Sequence, residues 1–307
     1  MQQIQWFPGH MAKARREINE SLKKVDAVLE LVDARLPYSS ANPLLRELVG
    51  NKPRVVVMTR ADLADPKMTK EWEAHFQRLG HAVVTVDTRQ GMGINRILPA
   101  LEEAAVAKRR KDEQRGIRKR ALRTMVVGIP NVGKSSLINR LANKAATKTG
   151  DRPGITKTQQ WIRLGNIELL DTPGVLWPKF EERHSGFALA ISGAIKSDIL
   201  DLMEVCSYFT VWLDTHYPGL LFERYDLGSE VSRHSGEFTM QSETTMSDWE
   251  IAEPTLAAIA LRRGLLRPGG LPDVERAAEL VLREAQTGKL GRITLEWVNE
   301  TVSTTPM

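Results

Sequence analysis

The chain has 307 residues, 42% hydrophobic and 26% charged, and this balance predicts a soluble globular protein long enough for two domains. No apolar run reaches the roughly 20 residues that a membrane-spanning helix needs, and residues 1–6 lack the layout of a secretory signal. Cys206 is the single cysteine, which excludes an internal disulfide and a cysteine-based metal site, so we expect a cytoplasmic protein.

Apolar runs and helical patterns alternate along the first 170 or so residues. The runs that indicate strands are 25–32, 54–58, 83–86, 123–127 and 167–170, and helical spacing occurs at 10–23, 43–49, 67–79, 93–107 and 135–142. This alternation predicts an α/β domain with a doubly wound, mostly parallel sheet and helices on both faces. Ligands of such sheets bind at the carboxyl ends of the strands, so functional motifs should directly follow the apolar runs.

The second run leads into Thr59-Arg60-Ala61-Asp62, at the spacing of the base-recognition element of a GTPase. In that role Asp62 would accept hydrogen bonds from the guanine N1–H and 2-amino groups. The next run leads into Asp87 and Thr88, where the loop behind the base is expected. The alternative is two ordinary strand-to-helix turns, with Asp62 and Asp65 as helix caps.

This element departs from the usual N-K-x-D tetrad of GTPases at its first two positions. The Thr59 hydroxyl cannot reproduce the two-ended amide of asparagine, whereas the stem of Arg60 can cover the base plane as a lysine does. We therefore expect preference for guanine to be retained and affinity to be weakened.

A strongly basic stretch connects these elements to the next strand. Nine lysines and arginines lie between positions 108 and 123, opposed by Asp112 and Glu113. The stretch is either a solvated helix face or a contact for a polyphosphate such as nucleic acid. The net charge of +5 is weak evidence by itself.

A phosphate-binding loop, G-x-x-x-x-G-K-S, occupies residues 128–135 between an apolar strand and a helical pattern. Its backbone N–H groups and the helix N-terminus would bind phosphate, Lys134 would reach the β- and γ-phosphates, and Ser135 would ligate Mg²⁺. A plain glycine turn before a basic helix is the alternative. The predicted nucleotide contacts are Asn131, Val132, Gly133, Lys134, Ser135 and Ser136.

A second phosphate-side element, D-x-x-G, follows the strand at 167–170. Asp171 would hold Mg²⁺ through water, the Gly174 amide would sense the γ-phosphate, and Thr156 is the candidate switch threonine that completes the Mg²⁺ shell. Alone, either element could be a capped turn. Because Asp62 lies upstream of Lys134, the base element precedes the phosphate elements and the domain is predicted to be circularly permuted.

Beyond residue 178 the pattern becomes helical, which predicts two domains, a GTP-binding domain at 1–178 and a helical domain at 179–307. Each basic residue of the second domain is either a candidate RNA contact or part of a solvated face. The candidates are Arg262, Arg263, Arg267, Lys289 and Arg292. Residues 228–248 read as a polar insert to which we assign no function.

Several motifs together resemble the ribosome biogenesis GTPase A family of circularly permuted GTPases. The shared motifs are Phe7-Pro8-Gly9-His10-Met11-Ala12-Lys13-Ala14, residues 33–43, the loop at 128–135, Arg262-Arg263-Gly264-Leu265-Leu266 and residues 288–294. The resemblance spans nearly the whole chain. It implies a GTPase with GTP or GDP and Mg²⁺ as ligands, which binds a late precursor of the large ribosomal subunit and its rRNA.

The catalytic group needs a further source, because Val175 stands where Ras-like proteins carry the water-orienting glutamine. The resemblance offers His10, whose near-neutral intrinsic pKa suits a residue that polarises water, although a structural histidine is the alternative. In related phosphate loops an asparagine at the position of Asn131 helps to hold K⁺ against the phosphates; a polar loop residue is the alternative. We expect a low intrinsic rate that the ribosomal subunit stimulates.

Two functions remain open on the sequence alone. The first is a GTP-driven assembly factor whose nucleotide state controls its grip on rRNA, with Lys134, His10, Thr156 and Gly174 as the catalytic set. The second is an RNA-binding scaffold in which GTP is a structural ligand. In either case we expect a monomer away from the ribosome, with no membrane or DNA partner.

Overall fold

The computed structural model describes residues 16–41, 45, 48–149, 161–172, 183–195, 200–228 and 247–301, with only the backbone of 144–149. The chain divides into two compact units, one of Met1–Glu181 with Thr294–Met307 and the other of Glu182–Ile293. The sequence predicted a division at residue 178, with all later residues in the helical domain. The division in the structure differs, because Thr294–Met307 belongs to the unit that contains the sheet.

A six-stranded sheet forms the centre of the first unit. Its strands are β1 (Ala27–Asp33), β2 (Arg54–Thr59), β3 (Ala82–Thr85), β4 (Leu122–Gly128), β5 (Trp161–Leu164) and β6 (Ile167–Asp171). The order across the sheet is β3-β2-β1-β4-β6-β5, and only β5 runs antiparallel to its neighbour. The prediction of a doubly wound, mostly parallel sheet is confirmed.

The strand order contains the topological switch of a doubly wound fold. From β1 the chain moves outward to β2 and β3, then crosses back to place β4 on the other side of β1. All seven residues of β1 are buried, as expected for a central strand covered on both faces. The crevice beyond the carboxyl ends of β1 and β4 is where such a fold binds its ligand.

Sequence periodicity missed the edge strand β5. It has four residues, and Trp161 at its start is exposed, so it lacks the continuous apolar run of the other strands. Its pairing with β6 holds it in the sheet. An edge strand of this kind is specified by its neighbour more than by its own residues.

The helices of the first unit are α1 (Pro66–Arg78), α2 (Ile94–Ala104), α3 (Val106–Gln114) and α4 (Lys134–Thr149), and residues 16–22 are also helical. Asp65 caps α1, since its carboxylate accepts from the N–H groups of Lys67 and Met68. The single helix expected at 93–107 is wrong in extent. The chain bends at Ala105, and α3 continues without any buried residue.

A short C-terminal segment packs against the first unit. The buried Glu296 carboxylate accepts hydrogen bonds from the Tyr38 and Ser39 N–H groups at 2.7 and 2.9 Å. The Trp72 indole donates to the Glu296 carbonyl at 2.8 Å. Val298, in the short helix α10 (Val298–Thr301), joins the apolar cluster around Trp72.

The second unit is helical in its described part, as the sequence predicted. Its helices are α5 (Arg183–Ile191), α6 (Leu202–His216), α7 (Leu220–Tyr225), α8 (Asp248–Arg262) and α9 (Val274–Thr287), with α6 packed against α8 and α9. Cys206 of α6 is fully buried, and burial raises the pKa of its thiol to about 12. Most of the polar insert, residues 229–246, lies outside the described residues.

No helix in the described part of either unit combines the length and the apolar character needed to cross a bilayer.

The role of Glu296 generates a prediction about stability. Glu296→Ala should lower the free energy of unfolding by about 2 to 4 kcal/mol, because the buried Ser39 N–H and the part-buried Tyr38 N–H lose a charged acceptor. Urea unfolding followed by tryptophan fluorescence measures this loss. Glu103→Ala, at an exposed position on α2, is the matched control and should change stability by less than about 0.5 kcal/mol. Equal midpoints for the two variants would contradict the role assigned to Glu296.

Candidate functional site

Five parallel strands end at one edge of the sheet, and each is followed there by polar or glycine-rich sequence. The residues at these ends are Asp33 at the end of β1, Thr59 at the end of β2 with Arg60 after it, Asp87 beyond β3, Gly128 at the end of β4 with residues 129–133 after it, and Asp171 at the end of β6. Segments far apart in the chain therefore meet at this edge, which is the arrangement that the sequence predicted.

The loop after β4 turns tightly into α4. An ideal Cβ at Gly128 would lie 2.8 Å from the Leu31 carbonyl oxygen, so only glycine lets the loop begin this close to β1. Within the loop Asn131 and Gly133 have φ angles of 57° and 103°. These left-handed residues curl the backbone just before α4, which adds the positive end of its dipole.

Lys134, the first residue of α4, folds its side chain back into this loop. Its Nζ donates to the carbonyl oxygens of Gly128 and Ile129 at 3.1 and 2.8 Å, and the residue is buried. Burial lowers the pKa of the ammonium to about 8, while the charge of Asp171 opposes this shift. The ammonium is thus held beside the loop by two neutral carbonyl acceptors. An anionic ligand can replace them, because hydrogen bonds between charged groups are stronger.

Asp171, at the end of β6, is the carboxylate whose charge acts on the pKa of this lysine. Burial raises its pKa above the ordinary range, and the Lys134 charge and a hydrogen bond from the Thr172 N–H act in the opposite direction. The Thr172 hydroxyl donates to the Val126 carbonyl at 2.6 Å, which ties the end of β6 to β4. The pairing of β6 with β4 and this bond from the Thr172 hydroxyl together set the position of Asp171 beside the phosphate loop.

Thr59 connects the predicted base-recognition element to the phosphate loop. Its buried hydroxyl lies 2.6 Å from the Val132 carbonyl oxygen and 3.1 Å from that of Val32, and its one proton serves one acceptor at a time. The shorter contact spans 73 positions of the chain. Threonine thus keeps a bond to the phosphate loop at the tetrad position where asparagine is usual.

Arg60 makes a second bond to the same loop. Its backbone is left-handed, with φ of 56°, and its Nη2 donates to the Asn131 carbonyl at 2.6 Å. Its Nε lies 3.8 Å from Asp33 Oδ2, and Asp33 is itself held by two hydrogen bonds from the Arg35 guanidinium. The guanidinium contacts the carboxylate and the loop together through two different nitrogens of its planar group.

The two base-side aspartates differ in their surroundings. Asp62 keeps a partly exposed side chain, with Arg89 Nη1 3.8 Å from its Oδ2. Asp87 is buried, and its Oδ1 accepts from the N–H groups of Arg89 and Gln90, so it shapes its own loop. Asp62 is the carboxylate available to a ligand, whereas the Asp87 loop offers mainly its backbone and Thr88.

The base-side loop also meets the helix that follows the phosphate loop. An ideal Cβ at Gly91 would lie 2.9 Å from Arg140 Nη2 on α4. Ser135 and Ser136, in the first turn of α4, are exposed and open to a ligand. The predicted residues His10, Thr156 and Gly174 lie outside the described residues.

Sequence reasoning assigned no role to three residues that hold this edge together, although two of them, Asp33 and Arg35, lie in the shared motif at 33–43. Asp33 and Arg35 form a buried ion pair behind Arg60, and Thr172 ties β6 to β4. A place for Asp33 in the site could have been predicted, because it directly follows the apolar run at 25–32 and so shares the edge with the other motifs. Thr172 carried no such signal, since its role depends on a contact with a different strand.

Comparisons with known proteins point to one family. A family model described as 50S ribosome-binding GTPase matches residues 123–208. The ribosome biogenesis GTPase A of Bacillus cereus is 48% identical over 298 residues, covering 97% of this chain and 95% of that protein. A GDP-bound structure of TM YlqF has a TM-score of 0.65 at 26% identity and covers 92% of this chain and 100% of that one. GNP-bound YlqF from T. maritima has a TM-score of 0.61 at 27% identity, with coverage of 94% and 99%.

The similarity in sequence therefore extends over nearly the whole length of both proteins. The solved structures share the fold over almost the same range. In this chain the phosphate loop and the base-recognition element meet at one edge of the sheet, with the base element first in sequence. The chain belongs to the ribosome biogenesis GTPase A family.

Proposed function

We propose that this chain binds GTP at the carboxyl edge of the sheet and uses the nucleotide state to control its grip on a late precursor of the large ribosomal subunit. Its family and GTPase domain make it a GTP-binding, GTP-hydrolysing ribosome assembly factor. The particular subunit, the residue roles, Mg²⁺, K⁺ and stimulation by the ribosome are our proposal. The family model's description as a 50S ribosome-binding GTPase supports the choice of subunit.

The observation that carries the proposal is the pair of bonds from Thr59 and Arg60 to the carbonyl groups of Val132 and Asn131. They join the element expected to bind the base to the loop expected to bind the phosphates. One nucleotide can therefore contact both elements at once. A loop that held phosphate alone would need no such link.

Mg²⁺ fits the donors at this edge, because the Ser135 hydroxyl is exposed and the Asp171 carboxylate stands beside the same loop. When bound, the ion would neutralise charge on the phosphates. Lys134 would exchange its two carbonyl acceptors for phosphate oxygens, with the backbone N–H groups of the loop as further donors. Asp62 would read guanine, while Thr59 and Arg60 keep the loop in place.

Hydrolysis also needs a group that positions water. We assign this role to His10, with K⁺ held by Asn131 as a second source of positive charge at the phosphates. Thr156 and Gly174 would sense the γ-phosphate and order their loops around it. In the chain these two residues lie between the phosphate loop and the helical unit. We therefore assign to them the coupling between nucleotide state and RNA binding.

A steady-state assay with and without large ribosomal subunits tests the function. Subunits should stimulate GTP hydrolysis, and Lys134→Ala should lower the stimulated rate by at least about 100-fold, since it removes a group that stabilises charge in the transition state. Lys70→Ala, at an exposed position on α1, is the control and should keep the rate.

A flat, near-zero rate with and without subunits would reject the proposal in favour of an RNA-binding scaffold. The same assay with sodium in place of potassium tests Asn131. Equal rates in the two buffers would remove K⁺ from the mechanism.

Thr59→Val should weaken binding of both GTP and GDP by about 5- to 20-fold, because the isosteric side chain cannot donate to the Val132 carbonyl. Thr69→Val is the matched control. Its hydroxyl also donates to a backbone carbonyl, that of Asp65, at 2.7 Å within α1. Fluorescent guanine nucleotides measure both variants, and equal affinities in the two would show that the Thr59 bond does not support the site.

The lowered pKa of Lys134 makes nucleotide binding pH-dependent. In the protein without nucleotide, the Lys134 side chain is increasingly a neutral amine above about pH 8. The triphosphate favours the charged form, so binding must take up a proton there and affinity must fall as pH rises. Calorimetry at about pH 9 in buffers of different ionisation enthalpy measures this uptake. The arginine of Lys134→Arg stays protonated, so this variant should take up fewer protons on binding the nucleotide. Identical proton uptake in the wild type and the variant would contradict the lowered pKa of Lys134.

A further inference from the structure

The excess positive charge of the chain is concentrated in one short segment, residues 108–120. This basic segment contains eight of the 43 lysines and arginines and two of the 38 aspartates and glutamates. The rest of the chain therefore carries one more acidic than basic residue. A single local feature accounts for the basic character of the whole protein, which is the pattern of a binding surface for a polyanion.

The basic segment contributes nothing to the core. No residue from 106 to 120 is buried, and α3 has no apolar face turned inward. Helices of globular proteins are usually stabilised by packing of an apolar face, so this helix needs another reason for its position.

That reason is Asp26, a buried carboxylate just before β1. It lies 3.0 Å from Lys108 Nζ and accepts two hydrogen bonds from the Arg120 guanidinium, at 2.6 and 2.9 Å. It also accepts from the Arg123 N–H at 3.1 Å. One carboxylate thus anchors both ends of the basic segment to the sheet.

Anchoring uses only two of the eight cations. In the part of the chain that the structure describes, no ion pair is found for the other six, which are Arg109, Arg110, Lys111, Arg115, Arg118 and Lys119. Arg110 lies about 200° around α3 from Lys108, so it faces away from the anchor. Five of these six cations are exposed and Arg109 is half-buried. Because the backbone of the segment is anchored at both ends, less of it remains to be ordered when a ligand binds.

The basic segment is distinct from the nucleotide site. Asp26 and Arg120 precede β1 and β4, so they lie at the amino edge of the sheet. Each of these strands has seven residues, which separates this edge from the phosphate loop by roughly 20 Å. Nucleotide phosphates and the basic segment therefore face different sides of the same unit.

We propose that the basic segment binds the phosphate backbone of double-stranded RNA, independently of base sequence. The inference rests on the proposed function, which supplies rRNA as the polyanion. The segment contains no aromatic residue on which unpaired bases could stack, and this favours a duplex over a single strand. Each cation that neutralises a phosphate releases counterions, so the affinity should depend steeply on salt.

The test is fluorescence anisotropy of labelled RNA duplexes of about 20 base pairs with the full chain over a range of KCl concentrations. The triple variant Arg110→Gln/Arg115→Gln/Arg118→Gln should lower the slope of log K against log salt by about 2 to 3 and weaken binding on the order of tenfold. Two duplexes of unrelated sequence should be affected equally. GTP affinity should not change, since the substituted residues lie at the opposite edge.

The matched control is Lys70→Gln/Arg78→Gln/Arg96→Gln, which removes the same charge from exposed positions on α1 and α2. This control should keep the wild-type slope of log K against log salt. An equal loss of RNA affinity in both triple variants would show that only the net charge of the protein matters, and would overturn the inference. An unchanged slope in the basic-segment variant would also overturn it. The inference would also be overturned if the basic-segment variant bound vesicles of phosphatidylcholine and phosphatidylserine more weakly than the wild type but bound RNA equally well.

Failure of the inference can be told apart from failure of the proposed function. If subunits stimulate hydrolysis by the wild type and the basic-segment variant binds duplexes normally, only the inference fails. If the wild type shows no stimulation by subunits, the proposed function fails whatever the duplexes show.

Discussion

The pairing of β1 with β2 on one side and β4 on the other is the constraint on which the rest of the structure depends. Because all three strands are parallel, their carboxyl ends meet, and the base element after β2 reaches the phosphate loop after β4. The order of these elements along the chain does not matter for this meeting. Circular permutation can therefore move the base element to the front while the site keeps its geometry.

Hydrogen bonds from side chains to backbone carbonyl groups hold the site in place. Lys134, Thr59, Arg60 and Thr172 each donate to a carbonyl oxygen of the phosphate loop or of β4. Such contacts constrain the path of the chain and leave the N–H groups of the loop available. The unusual Thr-Arg pair supplies two of these donors, the Thr59 hydroxyl to the Val132 carbonyl and the Arg60 guanidinium to the Asn131 carbonyl.

Charge is distributed over the first unit in two different ways. At the carboxyl edge, charges occur in opposed pairs, the buried Lys134 with the half-buried Asp171 and Arg35 with Asp33, both buried. At the amino edge, Asp26 neutralises only the cations that anchor the basic segment. Paired buried charge suits a site that must accept and release a ligand, whereas unpaired exposed charge suits a surface that attracts a polyanion over a distance.

The sequence by itself determined the parallel sheet, the phosphate loop, the permuted order and the family, because buried strands and phosphate-binding turns have strong local signatures. It also located Asp62, Lys134 and Asp171 at strand ends. It did not reveal the strand β5, the break between α2 and α3 at Ala105, or the hydrogen bonds of Glu296 with residues of the first unit. Those features, and the bonds from Thr59 and Arg60 to the phosphate loop, depend on contacts between distant segments. Only the tertiary structure decides such contacts, because no local pattern of residues encodes which distant carbonyl or N–H group a side chain will meet.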